Sequence, residues 1–206
     1  MKSIFIFFLL WVLTLNFGCR QTDSNPIKVK LHLEKEYTKS FSKNDPWVKD
    51  QIEQQSLNVD TDSVIVHYYD IKIEIENTGQ RDLYVWLMTC SWHHNFQINN
   101  NYIYFYHWGC DSNFPGREKI TPQSKITLNG TIRKNLKFDY PDENSIYGEQ
   151  VELTKVGFVT IDDIYKPNNV TLDYTPNIED KSKHKVIWSN GIKLLSDKDQ
   201  YQEEFN

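Results

Sequence analysis

Alanine is absent from all 206 residues. The chain therefore lacks its strongest helix former, which argues against a helical bundle. The eight glycines are scattered, so no glycine-rich loop is available to cradle a phosphate. No G-x-S-x-G elbow and no H-E-x-x-H helix occurs, which leaves out the familiar hydrolase and zinc-protease signatures. A basic excess is missing too: the formal net charge is −5, a poor balance for binding nucleic acid or anionic headgroups. Long apolar runs are confined to the first residues. No internal repeat or low-complexity tract is visible.

The aromatic content is high, at 14%, and Ile, Val, Thr and Tyr recur in alternating runs. That mixture suits half-buried, pleated strands. At the N-terminus, Lys2 precedes the apolar run IFIFFLLWVLTLNF, then Gly18 and Cys19. As a helix that run rises about 21 Å, short of the roughly 30 Å hydrocarbon core, so a secretory signal over residues 1–18 is expected rather than a permanent span. Cys19 after Gly18 looks like the lipobox of bacterial lipoproteins, although Asn16 stands in the usual Leu position. The same segment also reads as a plain secretory signal. With lipidation, Cys19 and a tether through residue 26 precede one domain over 27–196, and a polar tail, 197–206, follows. Export implies an oxidising compartment in which Cys90 and Cys110 are free to pair.

Residues 27–33 (IKVKLHL) alternate with the period of a strand. Asp45-Pro46 opens a short helix near 46–55, with Asp45 as N-cap and Pro46 at its first position. Residues 63–76 form a long strand whose apolar phase changes near Tyr68-Tyr69, predicting a bulge or bend there. Asn77-Thr78-Gly79 is a turn, and 83–90 is the next strand. Further strands are expected at 124–133, 151–161 and 185–195.

Residues 89–110 (TCSWHHNFQINNNYIYFYHWGC) hold the candidate chemistry. A hairpin turning at Asn100-Asn101 places Ile98 opposite Ile103, Phe96 opposite Phe105 and His94 opposite His107. Two readings of its ends compete. Cys90, His94, His107 and Cys110 supply the sulfur and nitrogen donors that zinc or copper would take. A Cys90–Cys110 disulfide would instead close a loop of about 20 residues, worth on the order of 3 kcal/mol. The disulfide is the reading preferred. Tyr102, Tyr104, Tyr106 and Trp108 share the even-numbered face of the hairpin, a stripe suited to a protein or glycan partner or else covered by another loop. Asn58, Asp60 and Asp62 have the spacing of calcium ligands, but Ser63 and Tyr69 stand where an EF-hand needs Gly and Glu, leaving a solvated acidic loop. Asp162 and Asp163, adjacent in a strand, point to opposite faces and make no carboxylate pair.

Seven to nine short strands separated by turns make an all-β, antiparallel sandwich the expected architecture. The run IKIEIENTGQRDLYVWL resembles the B-strand, NTG turn and C-strand of Ig-like envelope modules. ITPQSKITLNGTI is similar to the I-x-P-x-x-S approach to the next strand of such domains. With Cys19, the chain resembles the small Ig-like lipoproteins of Bacteroidota-type cell envelopes over residues 63–133. With its N-terminal lipid the chain is expected to be a periplasm-facing module held to a membrane, and the lack of any catalytic signature makes a non-enzymatic role without a cofactor the expectation. Binding in the envelope is the expected role, and zinc or copper binding the alternative.

Overall fold

A computed structural model describes residues 25–107, 115–136, 153–160 and 184–194. The expected signal segment 1–18, Cys19, Trp108, Cys110, Asp162-Asp163 and the tail 197–206 lie outside the described residues. Along the chain run β1 (Ile27–Ser42), α1 (Pro46–Gln55), β2 (Ser63–Asn77), β3 (Leu83–Met88), a 3-10 turn (Trp92–Asn95), β4 (Phe96–Ile98), β5 (Ile103–Tyr106), β6 (Pro115–Ile120), β7 (Lys125–Lys134), β8 (Val156–Thr160) and β9 (Lys185–Trp188). The fold is mostly β, with one short helix among the described residues. Its sheets order as β1-β2-β7-β5, β3-β6 and β4-β8-β9, and every described strand pair is antiparallel.

The four-stranded sheet turns the odd-numbered residues of β2 inward. Tyr69, Ile71, Ile73 and Ile75 pack with Ile27, Val29 and Leu31 of β1, with Leu83, Val85 and Leu87 of β3, and with Phe96, Val156 and Phe158 of the three-stranded sheet. All three sheets thus contribute to one apolar core, the main source of stability in a chain of this kind. Trp92 lies edge-on to Phe96 and Phe105, and it sits over Gly130 so closely that a Cβ there would lie 2.9 Å from its ring. Glycine at 130 makes room for the indole.

The phase change in β2 has a different origin from the bulge expected at Tyr68-Tyr69. β2 keeps an unbroken pleat, but its near half is buried on the inner face and its far half on the outer one, where Val64, Val66 and Tyr68 lie beneath Val48 of α1 with Leu57, Val59 and Leu136. The irregularity sits on the partner strand, between Leu33 and Lys35 of β1. That one-residue slip turns Lys35, Tyr37, Lys39 and Phe41 outward where Ile27, Val29 and Leu31 faced in, and β1 runs on to Ser42 instead of ending at 33.

The hairpin expected at 89–110 does not form. β4 pairs with β8, and β5 pairs with β7, in different sheets. Phe96 and Phe105, placed side by side by that register, do meet, with ring centroids 6.3 Å apart, but each belongs to a different sheet. Alternating apolar residues satisfy either geometry, and only partners distant in sequence choose between them. The expected Cys90–Cys110 disulfide therefore loses its role as the staple of that hairpin; Cys110 lies outside the described residues, and no disulfide-bonded pair lies within them. Cys90, the sole cysteine among the described residues, is disulfide-bonded. No helix among the described residues is long and apolar enough to cross a membrane.

The loops use side-chain amides as backbone substitutes. At the expected NTG turn, buried Asn77 donates to the carbonyls of Arg81 (2.8 Å) and Ile120 (2.9 Å) and accepts from Gly79 N–H. Asn95 accepts from Met88 N–H and donates to the Trp86 carbonyl, both at 3.0 Å. Asn190 does the same for Leu31, accepting from its N–H and donating to its carbonyl at 2.9 Å each, and so occupies the outer edge of β1. Asp45 precedes α1 in extended conformation but makes no side-chain cap bond, contrary to the capping role its type suggests.

Candidate functional site: an aromatic and cationic surface

The outer face of the four-stranded sheet carries the even positions of β2. Through register these align with odd positions of β7 and with even positions of β5: Tyr68 lies opposite Arg133, which lies opposite Tyr104, and Thr131 lies opposite Tyr106. On the other side Tyr37 of β1 lies opposite Tyr68. Four strands therefore bring four tyrosines and an arginine to one end of one face, and α1 adds Trp47.

The rings are in contact. Tyr37 stacks on Tyr68, centroids 5.3 Å apart and 8° from parallel, and Tyr106 meets Tyr68 edge-on at 5.1 Å. The Arg133 guanidinium lies 4.6 Å from the Tyr104 centroid, 4.7 Å from Trp47 and 5.1 Å from Tyr106, well within cation–π range. Lys35 and Lys39 lie 5.3 and 5.7 Å from the Tyr37 ring, and Lys39 also covers Tyr68 at 5.1 Å. Tyr68 is buried; Tyr37, Tyr104, Tyr106, Trp47 and Arg133 are half-buried, and both lysines are exposed. Burial raises the phenol pKa of Tyr104, opposed by the Arg133 charge, and burial also raises that of Tyr106. Burial and then the negative charge of Asp70 raise that of Tyr37. Raised phenol pKa values keep these rings neutral.

Of the stripe read from the sequence, Tyr104 and Tyr106 belong to this surface. Tyr102, also half-buried, precedes β5, its carbonyl accepting from Asn135 N–H at 2.7 Å. The sequence reading missed Tyr37, Tyr68, Trp47, Lys39 and Arg133. The alternation Lys35-Tyr37-Lys39 was a usable signal for the first strand. Nothing local in IRK marks Arg133 as the centre.

The histidines expected to flank a metal take another arrangement. His93, in the 3-10 turn, meets His94 at 4.4 Å and His107 at 4.5 Å between ring centroids. Three imidazoles gather, but no group of three or more His, Cys, Asp or Glu among the described residues is placed to hold a metal ion. Of the expected donors, Cys90, His94 and His107 fall under that statement, as do Asp60 and Asp62 of the acidic loop, both exposed.

No family model matches the chain, and no curated protein does. Among solved structures, the crystal structure of a FixG-related protein from Vibrio parahaemolyticus is similar over 84% of this chain and 100% of that one, at 12% identity and a TM-score of 0.30. A likeness of that size lends nothing to a reading of fold or function.

Proposed function

We propose that this protein is a non-catalytic binding module of the cell envelope, exported and tethered through a lipidated Cys19, that holds an acidic polysaccharide against the outer face of its four-stranded sheet. The observation that carries this reading is the cation-studded tyrosine surface, in which Arg133 sits among Trp47, Tyr104 and Tyr106. Partly exposed rings offer flat apolar faces on which sugar rings stack, and cations beside them meet uronate carboxylates. Lys35 and Lys39 stand exposed for that role. A peptide adding as a strand suits the surface less well. The β1 edge carries a bulge after Leu33, four lysines between residues 28 and 39, and Asn190 seated on Leu31, all devices that discourage edge pairing.

An Ig-like sandwich is the finer architecture we assign. With the β3-β6 ribbon taken as an insertion, the remaining strands follow the order of an Ig constant-type domain: first, second, fifth and fourth in one sheet, third, sixth and seventh in the other. That agreement supports the assignment and, by itself, says nothing of function.

Calorimetric titration with a polyuronate, with its neutral methyl ester and with an acidic peptide tests the reading. Binding of the polyuronate alone, weakened by salt and lost in a Lys35→Gln/Lys39→Gln variant of unchanged near-ultraviolet circular dichroism, is the expected result. Equal binding of the ester would remove the role of charge. Preference for the peptide would replace the glycan, and silence from all three would sink the proposal.

A further inference from the structure

The β3-β6 ribbon has a face that the surface above does not use. Its inner face gives Leu83, Val85, Leu87 and Ile120 to the core. On the other, Trp86 lies opposite Arg117 and Tyr84 opposite Lys119. The Arg117 guanidinium rests on the two rings, 5.4 Å from the Trp86 centroid and 5.6 Å from that of Tyr84. Its Nε, Nη1 and Nη2 are all shielded from solvent, and none makes a hydrogen bond among the described residues. Asp82, which precedes β3, is engaged by Lys119 at 2.7 Å. Glu118 belongs to the opposite face of the strand, level with Val85.

An arginine side chain cannot shed its proton, so a shielded guanidinium without acceptors keeps a charge with neither water nor counter-ion. Aromatic faces offset part of that cost. They satisfy no N–H group, and five donors remain. The partner that fits a planar fork lying against rings is a planar acceptor with two oxygens, entering edge-on.

We propose that Arg117, backed by Tyr84 and Trp86, is the recognition group of a carboxylate-binding site on the β3-β6 ribbon, separate from the tyrosine surface on the sheet. A bound carboxylate accepts two parallel N–H bonds from the guanidinium while the rings fix its plane.

The test titrates the full chain with sodium acetate and, separately, inorganic phosphate, each against sodium chloride at matched ionic strength. The readout is the Arg117 Nε–Hε signal in nitrogen-15 NMR, assigned by its loss in Arg117→Met, together with the thermal midpoint. A saturable shift and a raised midpoint with acetate, absent in Arg117→Met and about tenfold weaker in Arg117→Lys, are expected, because lysine keeps the charge without the fork. Saturation by phosphate alone would overturn the carboxylate assignment. So would no saturable shift with either anion, a response equal to that of chloride, or an unchanged response in Arg117→Met. If Arg117→Met does not fold, Arg117→Lys decides: wild-type affinity there would refute bidentate recognition.

Discussion

One sheet face, carried along its length by β1, β2 and β7 and joined by β5 at one end, is held by different forces at its two ends. At the near end β1, β2 and β7 carry an ionic lattice. Lys30 pairs with Glu76, Lys125 with Glu74, Lys72 with Glu34, and His32 Nε2 lies 3.5 Å from Glu74. At the far end the same pleat presents Tyr37, Tyr68, Tyr104 and Tyr106 around Arg133, partly roofed by α1. The ionic end pairs its charges internally and stays largely solvated, so it contributes little net stability and offers a partner little. The aromatic end buries one ring fully, leaves others half-exposed, and keeps cations within reach of solvent. A face can therefore be polar scaffold at one end and a candidate contact surface at the other, with β1, β2 and β7 running through both.

The largest effect separating the two ends is expected from Tyr68→Ala. Losing that ring beneath Tyr37 and Tyr106 costs about 3–5 kcal/mol in urea denaturation, while Lys30→Ala at the solvated ionic end leaves the urea midpoint almost unchanged. Similar losses at both ends would refute the contrast. Gly130→Ala is next, at about 1–3 kcal/mol, since its Cβ would press on the Trp92 ring. A thermal midpoint within a degree of wild type would show that the indole moves aside freely. Arg133→Met should cost about 1–2 kcal/mol by releasing three ring contacts. The loss should show as faster hydrogen exchange in α1 and β5, leaving the β4-β8-β9 sheet unchanged.

The smallest effect is a pH dependence confined to the ionic end. The Lys125 hydrogen bond, then its charge and that of His32, hold the Glu74 carboxyl below its usual range, against the effect of burial. A carboxyl depressed in the folded state contributes stability that is present above the unfolded pKa of about 4.3 and lost as pH falls through the lower folded value. Wild type should exceed Glu74→Gln by under about 1 kcal/mol at pH 7, and the gap should close on acidification below about pH 4. A gap that persists or widens in acid would contradict that sign.

Strand existence was legible because burial on one face leaves a period of two. Residues 27–33, 63–76 and 124–133 lie in or across β1, β2 and β7, and Asp45-Pro46 marked α1. β6 was missed because PGREKI opens with two turn formers and holds a single aliphatic residue, Ile120; a proline at a first strand position is allowed but unmarked. Register in the 89–110 stretch was misread for a related reason. Phe96, Ile98, Ile103 and Phe105 specify which side chains turn inward, not which strand lies alongside. Of the candidate surface, Tyr104 and Tyr106 were visible as a stripe, while Arg133 and Tyr37, 29 and 67 residues away in sequence from Tyr104, were not.

The sequence by itself determined the β character, the short helix and the alternation that sorts inner from outer side chains, because these follow from residue type and local period. The tertiary structure alone decided which strands are neighbours, which face α1 roofs, and that a tyrosine stripe closes around an arginine from a strand elsewhere in the chain. Those outcomes depend on long-range pairing, whose free energy is shared among residues distant in sequence and leaves no local mark on any one of them.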